Sequence, residues 1–287
     1  MVAAPIAGLS EIAGHYDLFL LDQWGVIHDG ETPLPGAIDA MRGLRELGKP
    51  VVLLSNSARR ATVGIANLDR IGVDRSLYDH LVTSGEEVWA CLRARGEPFY
   101  AALGRRCFMF TWAGDRGLSE GQGLVRADDI AQADFILAAG TSGKPVSDYE
   151  DTLQEAAARD LPMICANSDF TSVAPDGSMA VCPGSIARRY EELGGRVRWH
   201  GKPNRSVYET CLALYPQAGR IIGVGDSLYH DIAGAARAGI DSTFVAGGIH
   251  MRALGVAWGE TPDPKRLAAL FEEEGQTPDY AIPALRW

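Results

Sequence analysis

Four polar segments each follow an apolar run, and together they hold the groups that phosphoryl transfer needs. They are Asp22 after DLFLL, residues 55–57 (SNS) after VVLL, residues 201–203 (GKP) after VRWH, and Asp226 with Asp231 after IIGV. A carboxylate can attack phosphorus, while hydroxyl, amide and ammonium groups can hold the phosphoryl oxygens. Because an anionic carboxylate must approach an anionic phosphate, we expect Mg²⁺ between them, with Asp22 and Asp226 as hard oxygen ligands.

The apolar runs before these segments predict buried strands. Strands are expected at 17–21, 51–54, 197–199, 221–224 and 243–245, and helices at 37–47, 62–71, 206–215 and 231–238. Continuous apolar strands between helices are typical of a doubly wound α/β fold, a parallel sheet with helices on both faces. Ligands bind beyond the carboxyl ends of such strands, so the polar segments are expected at one edge of the sheet.

The middle of the chain has strand and helix signals of its own. Strands are expected at 107–111, 135–138 and 163–166, and a helix at 147–159. This pattern predicts a second α/β domain inserted into the first. We therefore expect a catalytic core formed by residues 1–84 and 186–287, with residues 85–185 as an inserted cap domain.

Composition and charge restrict the function classes. The net charge of −10 over 287 residues argues against a nucleic-acid partner, because nothing would offset phosphate repulsion. The five cysteines are scattered without a CxxC pair, so we interpret them as reduced core residues of a cytoplasmic protein. No apolar stretch approaches the roughly 18 residues of a membrane helix, so no membrane partner is expected.

In these motifs the sequence resembles the haloacid dehalogenase superfamily. The matching stretches are LFLLDQWGVIHDG (18–30), VVLLSNS (51–57), GKPN (201–204) and GVGDSLYHD (223–231). LVTSGEEV (81–88) and CANSDF (165–170) are similar to subfamily IIA, which has a large α/β cap and includes p-nitrophenyl phosphatases and sugar phosphatases. The resemblance implies a Mg²⁺-dependent phosphomonoesterase that acts on a small phosphorylated metabolite.

The resemblance also implies a role for each matching residue. Asp22 would attack phosphorus and form an aspartyl-phosphate, and Lys202 would bind both the phosphate and Asp22. Ser55 and Asn56 would hold the phosphoryl oxygens. The implied Mg²⁺ ligands are three carboxylates and one backbone carbonyl, those of Asp22, Asp226, Asp231 and Trp24.

The cap has implied roles as well. Asn167 and Asp169 lie where a cap loop would meet the substrate. Caps of this kind often carry a dimer interface in the resembling family, so a homodimer is one expectation. The identity of the substrate is not readable, because it depends on loop shape in the cap.

Trp24 is the departure from the family pattern. Most phosphatases of the superfamily have Asp two positions after the nucleophile, where it protonates the leaving oxygen and then activates water. An indole N–H is a donor only and cannot replace that acid. His28 and Asp29, or a cap residue, are candidate surrogates. Two alternatives stay open: a dehalogenase-like or phosphonatase-like hydrolase, and a protein that binds a phosphorylated ligand with little turnover.

Overall fold

The computed structural model describes residues 3–112, 115–142, 144–173 and 179–287. Its strands are, in chain order, β1 (Ala4–Pro5), β2 (Leu18–Leu21), β3 (Val51–Ser55), β4 (His80–Thr83), β5 (Arg106–Phe110), β6 (Val125–Ala127), β7 (Phe135–Ala138), β8 (Pro162–Cys165), β9 (Thr171–Val173), β10 (Met179–Val181), β11 (Arg196–Trp199), β12 (Ile221–Gly225), β13 (Asp241–Val245) and β14 (Tyr280–Ile282). Its helices are α1 (Ala37–Glu46), α2 (Ala61–Ile71), α3 (Ser84–Ala94), α4 (Pro98–Ala101), α5 (Glu150–Ala158), α6 (Pro183–Glu192), α7 (Arg205–Leu214), α8 (Ala233–Ala238), α9 (Met251–Leu254) and α10 (Pro264–Glu274).

The chain forms two compact units. The first unit contains Met1–Ser55, Gly64–Val82 and Lys202–Trp287, and the second contains Asn56–Val63 and Thr83–Gly201. The predicted α/β fold with a parallel sheet and an inserted α/β segment is confirmed. Each unit has its own sheet and its own buried core, as an independent domain requires.

A seven-stranded sheet in the order β1-β14-β13-β12-β2-β3-β4 forms the first unit. β2 is buried along its whole length and pairs in parallel with β12 on one side and β3 on the other. Leu18, Leu20 and Val52 pack with Val207 and Tyr208 of α7 in one core cluster. Strands covered by helices on both faces need apolar side chains throughout, which explains the uninterrupted LFLL and VVLL runs. The carboxyl ends of β2, β3 and β12 therefore lie side by side.

The second unit has a five-stranded parallel sheet in the order β11-β8-β7-β5-β6 and a separate antiparallel pair, β9 and β10. Its core includes the fully buried Ile136, Leu153, Met163 and Tyr190. The strands predicted at 107–111, 135–138 and 163–166 correspond to β5, β7 and β8. The helix predicted at 147–159 begins later as α5, after a short 3₁₀ turn over Val146–Tyr149.

The predicted domain boundaries differ from those of the two units. β11 pairs with β8 from Arg196↔Pro162 to Trp199↔Cys165, so residues 186–201 belong to the second unit and not to the core. Residues 56–63 also group with the second unit. Hydrophobic periodicity identifies a strand but cannot tell which of two α/β sheets it joins, and this ambiguity misplaced the strand at 197–199.

Two composition-based expectations can be compared with the described ranges. The cysteines are free, and Cys107, Cys165, Cys182 and Cys211 are buried, as predicted for reduced core residues, whereas Cys91 is half-buried. Within the described part of the chain, no helix combines the length and the apolar character that a membrane crossing requires.

Candidate active site

Three carboxylates meet at the carboxyl ends of β2 and β12. Asp22 follows β2 directly, and its N–H donates to the carbonyl of Val224 in β12 at 2.9 Å, which ties the two strand ends together. Ligand oxygens of Asp22, Asp226 and Asp231 all lie within 4.8 Å of one another. We call these three residues the carboxylate cluster. Parallel neighbours in the sheet thus bring together side chains that are more than 200 positions apart in the sequence.

Backbone groups fix the orientation of Asp226 and Asp231. Oδ2 of Asp231 accepts from the N–H of Ser227 at 3.0 Å, within a π-helical turn over Leu228–Ile232. Oδ2 of Asp226 accepts from the N–H of Ile249 at 2.7 Å. A Cβ at position 248 would lie 2.0 Å from that same oxygen, so only Gly248 lets the loop after β13 approach the carboxylate.

Lys202 is the cation of the site. Its Nζ lies 2.5 Å from Oδ1 of Asp22 and 2.6 Å from Oδ1 of Asp231, and its side chain is only 4% exposed. Burial disfavours the ammonium, but Asp22 and Asp231 attract it and hold its pKa well above the usual range. One ammonium between two members of a group of three carboxylates still leaves an excess of negative charge.

Burial and this excess of negative charge both raise the pKa values of Asp22 and Asp226. Burial raises the pKa of Asp22 to about 7, against the opposing attraction of Lys202 and with the repulsion of Asp231. Burial, followed by repulsion from Asp22 and Asp231, raises the pKa of Asp226 well above its ordinary value. A cation among these oxygens would favour their ionised forms, and hard carboxylate oxygens suit Mg²⁺. The donor set therefore fits a divalent metal.

Trp24 lies in a loop that folds back on itself. Its backbone forms an isolated bridge with His28, whose carbonyl accepts from the N–H of Gly25 at 2.9 Å. The indole is 42% exposed and meets the His28 ring edge to face, with centroids 5.8 Å apart. A Cβ at Gly30, where φ is +100°, would lie 2.4 Å from the indole, so the ring covers this glycine. The aromatic residue after the nucleophile thus packs on the turn at 28–30.

The two predicted surrogate acids are engaged in that same turn. His28 is buried, its Nδ1 accepts from the N–H of Gly30 at 3.0 Å, and burial lowers its pKa to about 4. Asp29 accepts from the N–H groups of Glu31 and Thr32, each at 2.8 Å, and these hydrogen bonds lower its pKa. Both side chains therefore act as hydrogen-bond acceptors within the turn, and a surrogate acid/base role for either stays a prediction.

The remaining predicted residues divide between the two units. Ser55 ends β3 next to Asp22's strand, in the first unit. Asn56 begins the second-unit segment, is 4% exposed, and donates from Nδ2 to Oδ1 of Asp169 at 2.8 Å. The N–H of Asp169 in turn donates to Oδ1 of Asn167 at 2.8 Å. Asn56, Asn167 and Asp169, predicted from separate stretches, therefore form one hydrogen-bonded group.

Two family models match the chain across both of its halves. One, described as haloacid dehalogenase-like hydrolase, matches residues 19–124, and the other, described as HAD-hydrolase-like, matches residues 199–270. The chain belongs to the haloacid dehalogenase-like hydrolases. The first match includes Asp22 and Ser55, and the second includes Lys202, Asp226 and Asp231.

Individual members of the family match over most of their length. Human chronophin is 29% identical over 257 residues, which is 85% of each chain. Sugar-phosphatase AraL of Bacillus subtilis (strain 168) is 25% identical over 281 residues, covering 93% of this chain and 90% of its own. The crystal structure of a haloacid dehalogenase-like hydrolase from Brucella suis 1330 superposes with a TM-score of 0.81 at 29% identity, covering 98% of this chain and 99% of that one.

The second unit of this hydrolase holds a cavity that sequence reasoning missed. Its volume is about 70 Å³, and its lining includes Arg59, Met109, Trp112, Leu118 and Asn167. We call it the second-unit cavity. Arg59 and Trp112 lie exposed at positions that hydrophobic patterning cannot distinguish from ordinary surface. The one available signal was that Arg59 follows the SNS segment at the end of β3.

Two further groups of polar residues were missed. Tyr208 of α7 is buried, and its hydroxyl donates to the backbone carbonyl of Asp231 at 3.2 Å, which supports the carboxylate cluster from below. In the second unit, Glu87 lies 3.0 Å from Nδ1 of the buried His200, and Oε2 of Glu87 also accepts from the N–H of Gly201. Each pair joins residues that are distant in sequence, and no local pattern marks them.

Proposed function

We propose that this hydrolase is a Mg²⁺-dependent phosphomonoesterase that transfers the phosphoryl group of a small phosphorylated metabolite to Asp22. One observation carries the proposal. Oδ1 of Asp22 lies 2.5 Å from Nζ of Lys202, and ligand oxygens of Asp22, Asp226 and Asp231 lie within 4.8 Å of one another. A nucleophile, a cation and a metal-binding pair of carboxylates are the parts that phosphoryl transfer uses. The activity in the name of the relative sugar-phosphatase AraL supports the same assignment.

Each residue of the first unit has a proposed task. Lys202 orients the Asp22 carboxylate through Oδ1 and offsets the charge of the incoming phosphate. Asp226, Asp231 and the carbonyl of Trp24 complete the metal-binding groups together with Asp22. A bound Mg²⁺ would supply Lewis-acid stabilisation of the phosphoryl oxygens. Asp22 then bonds to phosphorus as the leaving group departs, and water releases phosphate from the acyl-phosphate in a second step.

The phosphate-binding tasks are proposed on sequence position and chemistry. The Ser55 hydroxyl, at the end of the neighbouring strand, is a donor for phosphoryl oxygens. Asn56 has the same proposed task, although its amide also binds Asp169. Asn167 and Asp169 are proposed to face the substrate from the second unit, where Asn167 also lines the second-unit cavity.

Trp24 supports a second candidate function. If no other group activates water, Asp22 would capture phosphate and release it slowly, and the protein would act as a binder of phosphorylated ligands. Dehalogenation is disfavoured, because expelling a halide gives no role to the two buried carboxylates, Asp226 and Asp231, that accompany Asp22.

Phosphate release from p-nitrophenyl phosphate and a metabolite panel tests the proposal. We expect Mg²⁺-dependent release by the native chain and a loss of more than about 10⁴-fold in Asp22→Asn. Asp39→Asn is the matched control, because this carboxylate is 72% exposed and pairs only with Arg42 on the surface of α1. Binding of a phosphate analogue without turnover of any substrate would favour the second candidate. Metal-independent halide release from 2-haloacids would overturn both.

A further inference from the structure

Within the described part of the first unit, the charged groups around Asp22 are suited to holding phosphate, and the ionisable groups that could give a proton to a leaving oxygen are engaged in other contacts. We propose that the substrate carries a leaving group that departs without protonation, namely a phenol, an enol, a carboxylate or a second phosphate. Phosphate esters of simple alcohols would then be poor substrates. This inference rests on the proposed phosphatase function and specifies the substrate class for the same site.

The charged groups beside Asp22 are committed to one another. Lys202 is held between Asp22 and Asp231 at 2.5 and 2.6 Å. Asp231 accepts from the N–H of Ser227, and Asp226 accepts from the N–H of Ile249. In all of these contacts the two carboxylates accept hydrogen bonds and donate none. These residues are placed to stabilise charge on the phosphoryl group, and the one ammonium among them is held between Asp22 and Asp231.

The ionisable side chains in the segment that follows Asp22 are engaged as well. Between positions 23 and 29 the ionisable side chains are those of His28 and Asp29. Nδ1 of His28 is occupied by the N–H of Gly30, and its ring is 4% exposed and lies edge to face with the indole of Trp24. Oδ1 of Asp29 accepts from the N–H groups of Glu31 and Thr32, and its Oδ2 accepts from the hydroxyl of Thr32. Both side chains build the turn on which Trp24 rests.

Two histidines on the loops after β12 and β13 are engaged as well. Nδ1 of His230 lies 3.1 Å from Oγ of Ser227, which caps the π-helical turn. Nε2 of His250 lies 3.5 Å from the backbone N–H of Leu228, and its ring packs against Phe244 with centroids 5.8 Å apart. Within the described part of the first unit, these contacts hold both rings in the scaffold of the Asp226 loop.

The chemistry of the transfer then selects the substrate. An oxygen of Asp22 bonds to phosphorus, the bond from phosphorus to the leaving oxygen breaks, and that oxygen keeps the electron pair and departs as an anion. A phenolate, with a conjugate-acid pKa of about 10 or less, tolerates this charge, and so do enolates, carboxylates and phosphate. An alkoxide is far more basic, and without a general acid its departure loses about 10²–10⁴-fold in rate.

The dependence of kcat/KM on leaving-group pKa tests the inference. With Mg²⁺ present, kcat/KM would be measured for acetyl phosphate, a series of substituted phenyl phosphates and a series of alkyl phosphates. We expect a steep fall with rising pKa, with alkyl phosphates about 10²–10⁴-fold below p-nitrophenyl phosphate. Relative to p-nitrophenyl phosphate, Trp24→Asp should raise kcat/KM for alkyl phosphates by about 10²-fold and so flatten the dependence on leaving-group pKa, whereas Trp24→Phe should keep that dependence steep.

The outcomes separate the two proposals. Equal kcat/KM for alkyl and activated phosphates in the native chain would overturn the inference and leave the phosphatase function standing. No release from any phosphate, acetyl phosphate included, would overturn the phosphatase function itself. If Trp24→Asp does not fold, the slope measured on the native chain still decides the question.

Discussion

The carboxylate cluster of the first unit and the cavity of the second unit are built in opposite ways. In the cluster, Lys202 is 4% exposed and contacts two carboxylates within 2.6 Å, and backbone N–H groups hold Asp226 and Asp231. In the second-unit cavity, Arg59 is exposed and Trp112 is 40% exposed. Across the described residues, no carboxylate pairs with the guanidinium of Arg59.

The difference between the two sites matches two different chemical tasks. Groups that stabilise a transferring phosphoryl must already be oriented before the reaction, so they are buried and mutually bonded. Groups that bind a ligand from solution must be free to meet it, and the second-unit cavity leaves a cation and an indole exposed. Breaking a contact in the carboxylate cluster should therefore lower both the rate of phosphate release and the unfolding free energy. Changes in the second-unit cavity should alter substrate preference alone.

Replacing Lys202 should give the largest effect. Lys202→Met leaves the buried carboxylates of Asp22 and Asp231 without their cation, and breaking such a buried pair costs about 3 kcal/mol of unfolding free energy. Phosphate release should fall by about 10²–10³-fold, because a charge that stabilises the transferring group is lost. Urea unfolding and phosphate release measure the two effects.

Arg42→Met is the matched control for Lys202→Met, because the ion pair of Arg42 with Asp39 lies on the surface of α1. We expect a change of no more than about 0.5 kcal/mol in the control, as is usual for exposed pairs. Equal losses in the two variants would contradict a special role for the buried cation.

Closing the space beside Asp226 should weaken metal binding. In Gly248→Ala the added Cβ would lie 2.0 Å from Oδ2 of Asp226, so the carboxylate must move. Displacing a metal ligand in this way typically lowers affinity by about 10–100-fold, which Mg²⁺ titration of phosphate release would measure. Gly14→Ala is the control, because a Cβ there meets nothing within 4 Å. An unchanged Mg²⁺ requirement would argue against Asp226 as a ligand.

The same contrast explains how far the sequence could be read. Asp22, Lys202, Asp226 and Asp231 were predictable because each follows an apolar strand, and parallel strands bring their carboxyl ends to one edge. β11 was assigned to the wrong unit, since two α/β sheets have the same periodicity. The second-unit cavity was not predictable, because its lining comes from loops whose shape depends on packing between distant segments.

The raised pKa values of Asp22 and Asp226 predict how the unfolding free energy of the metal-free protein depends on pH. Burial raises the pKa of Asp22 to about 7 and raises that of Asp226, so the folded protein binds protons that the unfolded chain has released. The unfolding free energy should therefore decrease as pH rises from about 4 to about 7. Urea unfolding in EDTA at several pH values would measure the decrease. Asp22→Asn should make this decrease with pH smaller, and added Mg²⁺ should turn it into an increase. A metal-free protein that gains stability over this range would contradict the assigned acidity.

Changes in the second-unit cavity should have the smallest effect and the most selective one. Arg59→Met removes an exposed cation, so we expect KM to rise about tenfold for substrates with a second anionic group, while KM for p-nitrophenyl phosphate and the unfolding free energy change little. The adjacent Arg60→Met is the matched comparison, because Arg60 lines the same cavity but is paired with Glu86 at 2.7 Å and stacks 3.7 Å above the ring of Trp89. Its loss should lower stability without altering substrate preference. If both variants shift KM alike for every substrate, the cavity does not select the substrate.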